Sequence, residues 1–144
     1  MREVYVGGMA QGKLDYVRKV KNAENIEIKV IDCAAWPVSE ESTDISRAKE
    51  AFPETKEAVG VFYHFHLWVR KLVLDGVDAE GAFEQFLERY QDWIIISDEV
   101  GNGIVPMDKE QREYRECMGR ILTCAAKRAD RVERVICGLG QRIK

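Results

Sequence analysis

Two segments of the chain have the residue types and spacing for phosphate chemistry. The first, Gly7-Gly8-Met9-Ala10-Gln11-Gly12-Lys13-Leu14, satisfies G-x-x-x-x-G-K, with leucine where a serine or threonine would bind magnesium. Glycines let successive backbone N–H groups converge on a phosphate. A helix N-terminus adds positive potential, and a lysine neutralises the outer oxygens. A plain glycine turn with a solvated Lys13 has the same composition. Position separates the two readings, because the pattern follows the first apolar strand and opens the first helix. The second segment is Ile94-Ile95-Ile96-Ser97-Asp98-Glu99. A buried strand ending in paired acids places one carboxylate near a metal and another near a nucleophile, at the sheet edge where α/β proteins bind ligands. A solvated loop acid is the simpler alternative.

The histidines and cysteines offer less. His64 and His66 lie about 200° apart on a helix, but on a strand they share a face. Metal or phosphohistidine chemistry would need exposure and an orienting partner, so a satisfied, partly buried histidine is the simpler reading of each. Cys33, Cys117, Cys124 and Cys137 show no C-x-x-C spacing and read as four reduced, small buried apolar groups rather than zinc ligands. Arg112, Arg115 and Arg120 suit either phosphate contact or a solvated helix face.

The elements that must hold these residues alternate along the chain. Val4-Tyr5-Val6 is a short strand, and the helix after Gly12 carries Leu14, Val17 and Lys21 in one row. Ile26 to Ile31 is a buried-type strand ending at Asp32. Residues 34–43 read as loop, Asp44 to Phe52 as a short helix, and Pro53 as the first turn of another. From Ala58 to Leu74 apolar residues occupy nearly every face. That means a buried helix or, over part of the length, a buried strand, and the helix is the expected form. Gly76 ends it, and Asp78 caps a helix with Phe83, Phe86, Leu87 and Tyr90 on one face. Trp93 to Ile96 is the strongest strand. After the Gly101-Asn102-Gly103 turn and Pro106, Asp108 opens a helix with Tyr114, Cys117, Met118, Ile121, Leu122 and Ala125 in one stripe. Val132 to Cys137 is a last β-rich run before Gly138 and a basic tail. The order predicts a three-layer α/β domain, residues 1–144, with a mainly parallel sheet.

Composition sets the outer limits. With 144 residues, 46% apolar and 9% aromatic, the chain can build one real core, which excludes wholesale disorder. A formal charge of −3 without a sustained basic tract argues against general nucleic-acid binding. No run reaches the roughly 18–20 apolar residues of a membrane span, and Met1 to Val6 enters a strand without signal-peptide architecture. A soluble cytoplasmic protein is expected.

Asp98-Glu99-Val100-Gly101-Asn102-Gly103-Ile104-Val105-Pro106 resembles the N-E-V-G-x-G-I-V-P segment of the adenosylcobinamide kinase/adenosylcobinamide-phosphate guanylyltransferase family. Arg112, Tyr114, Arg115, Glu116, Gly119 and Arg120 match its R-x-aromatic-R-acid-x-x-G-R pattern. Gly138 to Lys144 matches G-L-P-x-x-L-K, with Gly140 in place of proline. Gly7, Gly8, Gly12 and Lys13 fall on its GG-x-R-S-GKS loop, and Leu14 replaces the hydroxyl residue. The resemblance is specific over 93–144, fair over 1–20 and thin between.

The resemblance implies a P-loop nucleotide-binding fold, ATP or GTP as phosphoryl donor with Mg2+, a corrinoid alcohol as acceptor, and a homo-oligomer. Lys13, Asp98 and Glu99 would be catalytic, with Asp98 toward the metal, and Gly7, Gly8, Gly12, Lys13 and Asp32 would contact the nucleotide. Two departures qualify this. Residues 34–57 contain no histidine where the family holds its guanylylated one, and Tyr63-His64-Phe65-His66-Leu67-Trp68 stands where the family has D-C-L-T-L-W. A cobinamide kinase-like protein is the leading expectation. A catalytically degenerate nucleotide- or corrinoid-binding protein is the alternative.

Overall fold

The computed structural model describes residues 1–36, 53–55, 57–100 and 108–144. Strands β1 (Arg2–Gly7), β2 (Ile28–Asp32), β3 (Val59–Tyr63), β4 (Trp93–Asp98), β5 (Arg131–Ile136) and β6 (Leu139–Arg142) form one sheet in the order β2-β3-β4-β1-β5-β6. The first five run parallel, and β6 returns antiparallel to β5. The helices are α1 (Lys13–Ala23), α2 (Phe65–Leu74), α3 (Ala79–Arg89) and α4 (Lys109–Arg128). This is the expected α/β architecture, and it brings the C-terminal ends of β1, β2, β3 and β4 to one edge.

Alternation along the strands divides the core between the two faces. Tyr5, Val61, Ile94, Ile96 and Val135 pack with Val17 of α1 on one side. Val4, Phe62, Ile95 and Val132 face the other side, under α2, α3 and α4. That second side is aromatic: Phe62 meets Phe86 at 4.7 Å between ring centroids and Trp36 meets Trp68 at 5.1 Å, both edge-to-face. Such pairs add about 0.5–1.5 kcal/mol beyond the area they bury. The helix ends follow the expected chemistry. Asp78 accepts from Gly81 N–H at 3.0 Å, Asp108 accepts from Glu110 N–H at 2.8 Å, and Gly76 leaves α2 at φ 70.

The expected helix over 58–74 is corrected. Val59–Tyr63 form β3, and α2 begins only at Phe65. Val61 and Phe62 are buried on opposite faces of the sheet, so the strand is as apolar all round as the helix that follows, and periodicity carries no boundary. The break falls on His64, at φ 55. Pro53 opens no helix, since residues 53–55 carry no regular structure. Cys33–Ala35 form a short 3-10 turn capped by Asp32. The tail is a strand, joined to β5 through Cys137 (φ 49) and Gly138 (φ 74), two positive-φ residues in the manner of a two-residue hairpin. The four thiols are free, but only Cys33 and Cys117 are buried; Cys137 is exposed on that turn. The expected helix over 44–52 and the turn at 101–106 lie outside the described residues.

A polar assembly joins α1 to β1 and β5, buried at Lys21 and Glu3 and reaching the surface at Glu24. Lys21 is fully buried, and its ammonium donates to both carboxylate oxygens of Glu3, at 2.7 and 2.8 Å, and to Glu24 at 2.7 Å. Tyr5 donates to Glu3 at 2.7 Å. Arg131 joins Glu24 at 2.8 Å and Glu133 at 2.5 Å, and Tyr16 donates to Glu133 at 2.5 Å. Gly140 makes room for this, because a Cβ there would stand 2.0 Å from the Tyr16 hydroxyl.

Candidate active site

The loop from Gly8 to Gly12 turns out of β1 and back into α1. Gly7 must lack a side chain, because a Cβ would meet the Val135 carbonyl oxygen at 2.3 Å. Gly12 sits at φ 74 as the residue before α1, a conformation that suits glycine, and it places no side chain over the helix end. The N–H groups of the first turn are therefore left for another partner. The loop is also held from outside. Gly138 N–H donates to the Gln11 carbonyl at 2.9 Å, and Cys137 N–H donates to the Gln11 side chain at 2.7 Å.

Lys13, the first residue of α1, does not run out to water. Its side chain is 5% exposed, and its ammonium donates to the Gly8 carbonyl at 2.7 Å and pairs with Asp98 at 2.6 Å. Register explains the meeting, since Gly7 of β1 lies opposite Asp98 of β4. Two of the three ammonium protons are thus engaged. Beside the pair opens a cleft of about 430 Å³, lined by the 9–15 segment together with Tyr63, His64 and Asp98.

His66, in the first turn of α2, holds Asp98 from behind. Its Nδ1 accepts the Asp98 backbone N–H at 3.1 Å, which leaves the proton on Nε2, 3.4 Å from the Asp98 carboxylate. Burial lowers the His66 pKa, with His64 and Lys13 adding to that and Asp98 opposing it, so the ring stays neutral and able to accept.

His64 points the other way along the edge. Its Nδ1 lies 3.0 Å from the Asp32 carboxylate, and its ring lies against Tyr63, tilted by 31°, with centroids 3.6 Å apart. The carboxylate can only accept, so Nδ1 donates and Nε2 is left without a partner among the described residues. Partial burial raises the Asp32 pKa, but the bonds from His64 and Ala34 N–H outweigh it and hold the carboxyl below its usual range. A non-glycine residue at φ 55 costs about 1–2 kcal/mol, an expense that folds concentrate at working sites.

Of the residues singled out from sequence, Gly12, Lys13 and Asp98 line one cleft, Gly7 lies opposite Asp98 in the sheet, and the Gly8 carbonyl accepts from Lys13. Asp32 lies at the same edge and reaches the cleft through His64. Glu99 diverges: its N–H donates to the Gly7 carbonyl at 2.8 Å, and its carboxylate pairs with Arg134 at 2.8 Å. Arg120 bridges to Glu80 on the helical face. The sequence reading of His64 and His66 as satisfied, partly buried histidines fits His66, but the partners of both were not foreseen, because the two straddle the end of one element and the start of the next. Spacing rules for a single element do not apply there. Among the described residues no cluster of three His, Cys, Asp or Glu side chains could hold a metal alone, and no helix is long and apolar enough to cross a membrane.

The chain is similar to the bifunctional adenosylcobalamin biosynthesis protein CobU of Salmonella typhimurium, at 39% identity over 51 residues. That stretch is 35% of this chain and 28% of the relative, so the match spans less than a third of the relative's length. The family described as cobinamide kinase / cobinamide phosphate guanyltransferase matches residues 9–143. By that match the chain belongs to the cobinamide kinase / cobinamide phosphate guanyltransferase family.

Proposed function

We propose that the chain acts in cobalamin biosynthesis or salvage, binding ATP or GTP on the Gly7–Lys13 loop and transferring the γ-phosphoryl group to the hydroxyl of adenosylcobinamide. The observation that carries this is the buried Lys13–Asp98 pair at the mouth of the cleft, where a lysine opens a helix beside a glycine loop. A triphosphate entering the cleft exchanges partners with that pair. Its oxygens take the ammonium and the free N–H groups of the first turn, and Asp98 is released. Leu14 supplies no oxygen, so Asp98 would be the protein carboxylate for Mg2+. This fits an ion that keeps several waters and rides on the nucleotide's phosphates. That ion would neutralise charge across the β- and γ-oxygens. Positioning and charge neutralisation then do most of the work. Residues 1–144 act in this reading as one nucleotide-binding domain, with nucleotide and corrinoid as small-molecule partners. Light scattering should show a homo-oligomer.

Guanylyl transfer through a histidine after β2 forms no part of the proposal, because residues 34–57 have none. The same absence, together with Leu14, favours a second reading, a nucleotide- or corrinoid-binding protein without turnover. Incubating the purified protein with adenosylcobinamide, Mg2+ and ATP or GTP separates the two. Phosphorylated corrinoid is expected. Tight nucleotide binding with no product, under conditions where an active relative turns over, would establish the second reading.

A further inference from the structure

We infer that His64, held by Asp32, is the general base that takes the proton from the acceptor alcohol. The inference rests on the phosphoryl-transfer reading above but on different residues. It starts from an imidazole whose Nδ1 is fixed by a carboxylate at 3.0 Å and whose Nε2 is left open, on a residue that lines the cleft shared with Lys13 and Asp98. Three further observations converge. The side chain is 31% exposed, so the ring is accessible, whereas His66 is buried against Asp98. His64 alone makes the bend from β3 into α2, in a left-handed conformation, and it lines the cleft. Tyr63 supports one face of the ring. The pieces of an oriented base are therefore assembled at the edge where β2, β3 and β4 end.

In the step, the alcohol oxygen bonds to the γ-phosphorus of the nucleoside triphosphate. The β–γ bridging P–O bond breaks, and its electron pair stays on the nucleoside diphosphate. The hydroxyl proton passes to Nε2 of His64 and then to solvent, which restores the neutral ring. Asp32 is a positioning residue: it selects the tautomer with the proton on Nδ1 and stabilises the imidazolium that forms. The charged and titratable groups around the ring are Asp32 from β2, Tyr63 from β3, His66 from α2 with ring centroids 6.0 Å away, and Lys13, Asp15 and Asp98 across the cleft. Lys71 acts on Asp32 from α2.

The test is steady-state kinetics of phosphoryl transfer to adenosylcobinamide across pH, with nucleotide binding read separately by calorimetry. His64→Asn keeps a donor for Asp32 and tolerates the left-handed backbone, but it cannot take a proton. It should lower kcat/KM by about 100-fold or more, abolish the acidic limb of the pH profile and leave nucleotide affinity within about twofold. His64→Gly should recover turnover in proportion to added imidazole, which keeps the inference exposed to failure if the asparagine variant does not fold. Asp32→Asn should lower kcat by about tenfold and displace the same limb, whereas a purely nucleotide-binding role would raise KM alone. Turnover by His64→Asn within about threefold of the unaltered chain, with the acidic limb intact, would overturn this inference and leave the kinase reading standing. No transfer by the unaltered chain would overturn both.

Discussion

Helix α1 carries a buried lysine at each end, and the two are used in opposite ways. Lys21, near the C-terminal end, has all three ammonium protons on carboxylate oxygens of Glu3 and Glu24, with Tyr5, Arg131, Glu133 and Tyr16 completing a closed set. Lys13, at the first position, has one carboxylate, one carbonyl and an open cleft. Burial alone does not distinguish a structural charge from a working one, since both side chains are at most 5% exposed. Valence does. A saturated ammonium has nothing left to offer a ligand. One with an unspent donor and a partner that can be exchanged is poised to bind an anion.

The largest expected effect tests the closed end. Lys21→Met leaves Glu3 buried without its cation and should destabilise the fold by about 3–5 kcal/mol in urea titration, with nucleotide affinity unchanged in the folded fraction. Gly140→Ala, which drives a Cβ into the Tyr16 hydroxyl and the Glu133 carboxylate, should destabilise by about 1–3 kcal/mol in the same measurement. Lys13→Ala should act mainly on binding: calorimetry should show nucleotide affinity reduced by at least about tenfold, roughly 1.4 kcal/mol, with a smaller change in stability. If Lys13→Ala destabilises more than Lys21→Met while affinity holds, the roles of the two ends are reversed.

The smallest effect is one of pH. Burial, followed by the bond to Glu3, raises the Tyr5 phenol above its ordinary value of 10.0, and the bond to Glu133, followed by burial, raises Tyr16. The folded chain therefore keeps protons that the unfolded chain gives up, so stability is complete below pH 10.0 and falls as pH rises beyond it. Urea midpoints between about pH 8 and about pH 11 should show the decline, and Tyr16→Phe should make it shallower.

How far the sequence could be read depended on whether a feature lived within one element. The glycine loop, the apolar strand ending in Asp98, and the Asp78 and Asp108 caps are local patterns, and each stands where expected. The pairing of Lys13 with Asp98 comes instead from the register of β1 on β4, which no local pattern carries. Other features are set between elements. The boundary at His64 is invisible because β3 and α2 are both buried all round. The Asp32–His64 and His66–Asp98 contacts follow from strand order rather than from spacing, since they join residues 32 apart in the chain. Strand β6 escaped notice because Leu139-Gly140-Gln141-Arg142 has little β-propensity, and its form comes from pairing with β5. Glu99 was placed beside Asp98 by sequence adjacency, but successive residues at a strand end point to opposite sides.

The hook from Gln11 to the Cys137–Gly138 turn has a bearing on biogenesis. The loop is translated before the turn that pins it, which follows 126 residues later. The bend after β1 therefore goes without that fastening while β2, β3 and β4 are laid down, and the loop is pinned only once the β5–β6 hairpin has been made.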